Sequence, residues 1–403
     1  MRLTVLAALL LICPLAHAQP PQHVRVVTND QFSDMQSSQL DERIAVEVVR
    51  HANELRRQGQ LPQATTQTSS ADLAWPLAPL GRFDQFDYHG TSNFVDHGPP
   101  FPGPAQDYTC GTRTYNLPNG YSHAGTDYYL WPFPWLMMDQ GQVQVVAAAP
   151  GVIIAKQDGN FDRNCALDAT GPNYVYVQQD DGLTAIYLHM RKGSVTTLPT
   201  GTRVAAGDYL GLVGSSGSST GPHLHFELRD AAGAVVDPRN GPCNAAPDRW
   251  LVFQAYEDPH IDTLSTHSAE PTFVGCGVDS GGNNVAETPN YKEVFVQGDE
   301  LWVFASYRDH RNGEVTHFNI TRPDGSSFAQ WDFDLASQGN PQPFYSGTSA
   351  DWKFTLPSDA PIGVWNISAV FQGQTYTRTF EVGLNWPPWL PRLPRPPRVH
   401  PRT

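Results

Sequence analysis

Four of the fourteen histidines stand in settings that could do chemistry. His123 lies in Ser122-His123-Ala124-Gly125-Thr126-Asp127, His189 in Ile186-Tyr187-Leu188-His189-Met190, and His223 and His225 in Gly221-Pro222-His223-Leu224-His225-Phe226-Glu227. Imidazole and carboxylate are good Zn²⁺ ligands, and three protein ligands with one position left open suit a hydrolytic zinc site. On a strand, residues two or four apart face the same side. His123 with Asp127, and His223 with His225, are therefore each expected to converge on one pocket. Singly these patterns say little, because HxxxD and HxH arise readily by chance. Two other letter matches fail on context. Gly217-Ser218-Ser219-Thr220-Gly221 fits GxSxG, but a strand-like run follows where a nucleophile elbow needs a helix. The same Gly-rich stretch has no Lys in Walker spacing, so it reads as a sharp bend rather than a phosphate cradle.

The elements that must position these residues are mostly strands. Between Trp75 and Tyr256, β-type runs at Val143 to Ala149, Gly151 to Lys156, Tyr174 to Gln178, Thr184 to Met190, Tyr209 to Val213 and His223 to Leu228 are separated by turn residues. That texture predicts a mainly β, antiparallel domain over residues 79–258. Alternating runs from Lys292 to Val382 predict an immunoglobulin-like β-sandwich over 286–384. Ahead of the first domain, residues 19–78 carry one amphipathic helix at 41–58, closed by Gly59, and a linker from Gln60 to Ser70. A prosegment or cap over the cleft, and a plain lead to the domain, are both open for this stretch. Residues 385–403 form a Pro- and Arg-rich tail that cannot bury a core.

Taken in order, His123 to Asp127, Tyr187 to His189 and the Gly211 to Glu227 run resemble the M23 peptidases, the family of lysostaphin and LytM. The resemblance covers roughly residues 85–240 and is tightest from Gly201 to Leu228. It implies a zinc metalloendopeptidase that cuts the peptide part of bacterial peptidoglycan. It further implies one Zn²⁺ per chain held by His123, Asp127 and His225, with His189 and His223 as catalytic histidines. Which of the two is the general base stays open. A degenerate relative that only binds cell wall, or activates another wall hydrolase, would be marked by a lost ligand or histidine, and none is missing. One departure is the segment Tyr128 to Gln142, with Trp131-Pro132-Phe133-Pro134-Trp135, between the HxxxD and the next strand. An aromatic wall of the cleft and a surface insertion packed on the domain are both open for it.

The remaining features bound the setting. Residues 1–18 read as a secretory signal peptide, with a charged start, a short apolar run and Ala16-His17-Ala18 at its end. Ile12 before Cys13 argues against a lipoprotein. No later stretch is long and apolar enough to span a bilayer, so a periplasmic or secreted monomer is expected. With 26 basic against 40 acidic residues and a formal charge of −14, phosphate-backbone binding is excluded as the main business. The other four cysteines, Cys110, Cys165, Cys243 and Cys276, suggest two disulfides in an exported chain. Pairing sequence neighbours, Cys110 with Cys165 and Cys243 with Cys276, closes the smaller loops and is the expected connectivity.

Overall fold

The computed structural model describes residues 20–28, 31–34, 38–61, 72–81, 85–168, 170–339 and 342–384, without the side chains of 38–45. The leader at 1–18, most of the Gln60 to Ser70 linker and the 385–403 tail lie outside the described residues. In chain order the elements are β1 (His23–Val27), α1 (Ser38–Arg57), β2 (Leu77–Pro79), β3 (His89–Asn93), β4 (Thr126–Leu130), α2 (Pro134–Asp139), β5 (Val143–Val146), β6 (Gly151–Gln157), β7 (Tyr174–Gln179) and β8 (Thr184–Leu188). They continue with β9 (Arg203–Val204), β10 (Tyr209–Leu212), β11 (His223–Arg229), β12 (Val235–Val236), β13 (His260–His267), β14 (Val294–Val296), β15 (Glu300–Arg311), β16 (Val315–Thr321), β17 (Ser327–Asp334), β18 (Phe344–Thr355), β19 (Gly363–Phe371) and β20 (Gln374–Gly383).

A central antiparallel sheet runs in the order β3-β4-β11-β8-β7-β6-β9, with β12 beside β11. Its strands are buried on both faces, and side-chain alternation divides them cleanly. Ile153, Val175, Val177, Ala185, Tyr187, Leu224, Phe226 and Leu228 point one way, towards a core shared with Val143, Val145 and Leu210 of the small β10-β5-β2 sheet. Val152, Ile154, Tyr176, Ile186 and Leu188 point the other way. There α1 covers them with Val48, Ala52 and Leu55, whose spacing of four and three places them on one helix face. Gly59, at φ 69°, follows the helix in the left-handed conformation that ends it.

Two further sheets, β1-β18-β15-β13 and β14-β20-β19-β16-β17, share one core that includes Leu264, Val303, Phe318, Trp352, Trp365 and Phe380. These sheets take in β13, well before residue 286, and β1 from the far N-terminus. β1 alternates only over His23-Val24-Arg25-Val26, too short a run to stand out, and β13 does not alternate. β13 is buried along most of its length, polar residues included, because it lies between two layers. The aromatic segment after β4 belongs to the junction between the central sheet and these layers. Phe133 stacks on Phe273 at 4.6 Å and on Phe304 at 5.5 Å between ring centroids. Trp135, Met137 and Met138 of α2 enter the central core. The segment is therefore a buried wedge, not a surface insertion.

The disulfides are Cys110–Cys243 and Cys165–Cys276, with Cα separations of 5.2 and 5.5 Å, so the expected pairing of sequence neighbours is wrong. Loop-closure cost rises only with the logarithm of loop length, so short loops were a weak guide. Sheet order decided instead which distant loops met.

Candidate active site

On β11 the alternation that sends Leu224, Phe226 and Leu228 into the core turns His223, His225 and Glu227 to the opposite face, the one that α1 partly covers. The register sets His225 opposite Asp127 of β4 on one side and Leu188 of β8 on the other. His189 follows directly after β8 at φ 65°, a left-handed conformation uncommon outside glycine. His123 is not on a strand, contrary to the sequence expectation, since β4 begins only at Thr126. It reaches Asp127 from a loop anchored by its N–H on the Tyr115 carbonyl at 3.1 Å.

Each imidazole is oriented by a bond on its outer nitrogen. Nδ1 of His123 donates to the Phe94 carbonyl at 2.7 Å, leaving Nε2 facing Asp127 Oδ2 at 3.1 Å. His225 is reversed: Nε2 meets Glu227 Oε2 at 3.2 Å, and Nδ1 faces Asp127 Oδ1 at 3.0 Å. Nδ1 of His189 donates to the Ser216 carbonyl at 2.7 Å, and Nδ1 of His223 to the Gly221 carbonyl at 2.8 Å. The His189 and His223 rings lie 4.5 Å apart. Gly125 makes room for this packing, because a Cβ there would sit 2.6 Å from both His225 Nε2 and the Phe226 carbonyl.

A sixth residue, absent from the sequence-based set, completes the cluster. Asp34 enters from the N-terminal segment. Its Oδ2 lies 3.3 Å from His225 Nδ1 and 3.5 Å from His189 Nε2, and its Oδ1 lies 3.7 Å from His123 Nε2. The Tyr115 hydroxyl contacts the Asp34 carboxylate and sits 2.6 Å from its main-chain oxygen. Ligand atoms of Asp34, His123, Asp127 and His225 all fall within 4.8 Å of one another, a grouping able to hold a metal ion. His189 and His223 stand beside that group, not in it.

The donor set fits a cation on its own evidence. Nε2 of His123, His189 and His223 and Oδ2 of Asp34 are buried without a hydrogen bond. Lone pairs stranded in that way cost about 1–3 kcal/mol each unless something electropositive meets them. Burial disfavours protonated imidazoles, but Asp127 and Asp34 raise the pKa of His123, and Asp34, Asp127 and Glu227 raise that of His225, so a metal would take the place of protons on these rings. Burial pushes the Asp127 carboxyl upward, but His123 and His225 outweigh it and hold it well below the usual range. Burial, with His189 alongside, pushes His223 down to about 4, so it is neutral at physiological pH. None of the six side chains belongs to a residue more than 2% exposed. A second His/Asp grouping, Asp87, His260 and Asp262, already encloses the Arg308 guanidinium, 3.4 Å from Asp262 and in contact with Asp87. It therefore carries its own cation. Ser219, the central serine of the GxSxG letters, bonds Ser215 Oγ at 2.8 Å and is followed by a strand, so no nucleophile elbow exists.

Comparison with known proteins finds likeness over the central part of the chain. Peptidase family M23 matches residues 135–238, a span that holds His189, His223 and His225 but begins after His123 and Asp127. The peptidoglycan DD-endopeptidase ShyC of Vibrio cholerae is 33% identical over 107 residues, 27% of this chain and 20% of its own length. The DD-carboxypeptidase/endopeptidase Mpg of Neisseria meningitidis is 34% identical over 117 residues, 29% of this chain and 22% of its own. The aligned part thus spans about a fifth of the length of these curated relatives. The solved catalytic domain of the prophage-encoded M23 protein EnpA from Enterococcus faecalis is 27% identical, with 40% of this chain and 94% of that one covered at a TM-score of 0.24. The stretch that supplies His189, His223 and His225 thus matches peptidase family M23.

Proposed function

We propose that the protein is an exported zinc endopeptidase that hydrolyses peptide bonds in bacterial peptidoglycan cross-links. The observation that carries this is the convergence of His123, Asp127 and His225 into one buried group, with two further histidines beside it. The names of ShyC and Mpg support the substrate class. In this reading His123 Nε2, Asp127 and His225 Nδ1 hold the Zn²⁺. The metal would polarise the scissile carbonyl and make water acidic enough to attack at neutral pH.

His189 and His223 do the proton work. Each commits Nδ1–H to a main-chain carbonyl, so each aims an Nε2 lone pair into the site. One takes the proton of the attacking water on Nε2 and then delivers it to the leaving amine, while the other stabilises the oxyanion in its Nε2-protonated form. Glu227 fixes the ring of His225, and Arg229 in turn holds Glu227. We further read the two C-terminal sheets as an immunoglobulin-like sandwich, residues 1–18 as a signal peptide removed after Ala18, and the protein as a monomer acting outside the cytoplasm.

The test is mass spectrometry of fragments released from purified peptidoglycan of defined chemotypes. Wild-type protein and Asp34→Ala are assayed in parallel, because Asp34 lies among the ligands. New peptide termini at cross-links are expected. Zinc-loaded protein that cleaves no wall chemotype in either form would leave only a binding module.

A further inference from the structure

Among the six clustered residues, only His189 has a backbone in the left-handed region, at φ 65°. Any residue with a Cβ enters that region at a cost in free energy, and it stays there only where its surroundings over-determine it. The surroundings here are two segments with no ligand and no proton-moving group of their own. One is Gly171-Pro172-Asn173, directly ahead of β7, and the other is Gly214 to Gly217 of the Gly-rich turn. We propose that Asn173 is a positioning residue which, with Ser216, clamps the chain at His189–Met190 and so sets the aim of His189 Nε2. The proposal rests on the zinc peptidase reading above, in which that nitrogen takes part in the proton work.

The clamp closes on Met190. Its carbonyl accepts from Asn173 Nδ2 at 3.1 Å and from Ser216 Oγ at 2.8 Å, and its N–H donates to the Asn173 carbonyl at 3.1 Å. Asn173 N–H donates to Ser216 Oγ at 2.8 Å and joins the two jaws. Asn160 braces the amide from behind: its N–H donates to Asn173 Oδ1 at 2.9 Å, and its carbonyl accepts from Asn173 Nδ2 at 3.1 Å. The oxygen and nitrogen of this fully buried side chain are thus both engaged. With the peptide groups on both sides of Met190 held, His189 is kept from relaxing to negative φ. Ser216 then reaches the ring itself, because its carbonyl accepts from His189 Nδ1 at 2.7 Å. One residue therefore holds the chain after His189 through its hydroxyl and the imidazole through its carbonyl. Two glycines permit the approach. A Cβ at Gly217 would lie 2.7 Å from Pro172 N, and one at Gly214 would lie 2.5 Å from Arg191 N. If the clamp opens, the imidazole swings away from the Ser216 carbonyl, the preference for Nδ1–H is lost, and Nε2 no longer points into the site.

The test uses the full zinc-loaded chain with ¹⁵N-labelled histidine, in which long-range ¹H–¹⁵N spectra show which ring nitrogen carries the proton. Wild type, Asn173→Ala and Ser216→Ala are compared, and kcat and KM are measured on soluble cross-linked muropeptides. Wild type should show His189 with its proton on Nδ1. In Asn173→Ala the ring should become a mixture of tautomers, while Nδ1–H of His223, held by the Gly221 carbonyl, stays as it was. Zinc content should not change. For Asn173→Ala, kcat should fall about 10- to 100-fold with KM altered by less than about twofold, as expected for a displaced proton-moving group. Ser216→Ala removes one hydroxyl and keeps the carbonyl, so the same changes should appear in smaller measure; it supplies both readouts if Asn173→Ala does not fold. A lower melting temperature with unchanged His189 signals would show that the amide only stabilises its loop, and would overturn the proposal whether or not kcat falls. A tautomer shift in chains that cleave no muropeptide, wild type included, would uphold the clamp and remove the peptidase reading instead.

Discussion

Glu227 Oε2 lies 3.2 Å from His225 Nε2, and this contact turns Nδ1 of His225 to Asp127, 3.0 Å away. The two histidines of the metal group therefore present different nitrogens, because their outer partners differ: a main-chain carbonyl for His123 and a carboxylate for His225. The carbonyl fixes the tautomer of His123 in advance, whereas His225, with a carboxylate on each nitrogen, is drawn to the doubly protonated form, and a metal would displace its Nδ1 proton.

Glu227→Ala is accordingly expected to weaken zinc binding about 10- to 100-fold while the sheet stays folded. Competition with a chromogenic chelator measures this directly. Unchanged affinity would mean that the ring is held by its neighbours in the sheet alone.

Gly125→Ala would place a Cβ 2.6 Å from His225 Nε2 and from the Phe226 carbonyl, both fixed by strand pairing. Overpacking of this sort costs about 1–3 kcal/mol. A lower melting temperature and reduced zinc content are expected together. Ala tolerated with full zinc would show that β4 and β11 can separate locally.

The four cysteines should be fully oxidised, as Cys110–Cys243 and Cys165–Cys276. Non-reducing peptide mapping should find those two cross-linked pairs, and denatured protein lacking residues 1–18, and with them Cys13, should show no reactive thiol. Loss of either bridge should cost about 2–5 kcal/mol. A Cys110–Cys165 cross-link would contradict the loop arrangement.

Glu287 gives a pH signature far from the histidines. Burial, with Asp139 nearby, raises its carboxyl from the ordinary 4.5 to about 8, where it accepts from the Leu136 N–H at 3.1 Å. Between those values the folded chain holds a proton that the unfolded chain has lost, so this group makes stability fall as pH rises through the window. Glu287→Gln keeps an acceptor and abolishes the titration. The variant should gain melting temperature over wild type from pH 5 to pH 8.5, with a difference on the order of a few kcal/mol at most. An equal offset at both pH values would place the carboxyl in the ordinary range.

Much of the central sheet was legible in the sequence because its strands announce themselves by apolar runs between turn residues, as at Gly151–Gln157 and His223–Arg229. The HxH spacing also translated directly into one sheet face. HxxxD converged for another reason than the one expected, through a loop that delivers His123 to the end of β4. Asp34 had no sequence signal, being one acid in an unpatterned stretch. Its place depends on β1 pairing with β18, more than three hundred residues away. β13 was hidden by its polar letters, which the structure buries between layers and not in a simple sandwich face. The same long-range pairings that hid these elements also defeated the disulfide expectation.

Zinc stoichiometry of His225→Ala beside His223→Ala tests the central claim most directly, since the two residues are neighbours on one strand face with different proposed roles. Elemental analysis of folded protein should find zinc largely lost from His225→Ala. His223→Ala should retain about one zinc per chain and lose cleavage of purified peptidoglycan. A His223→Ala chain without zinc, or a His225→Ala chain that keeps it, would contradict the division between the metal group and the histidines that move protons.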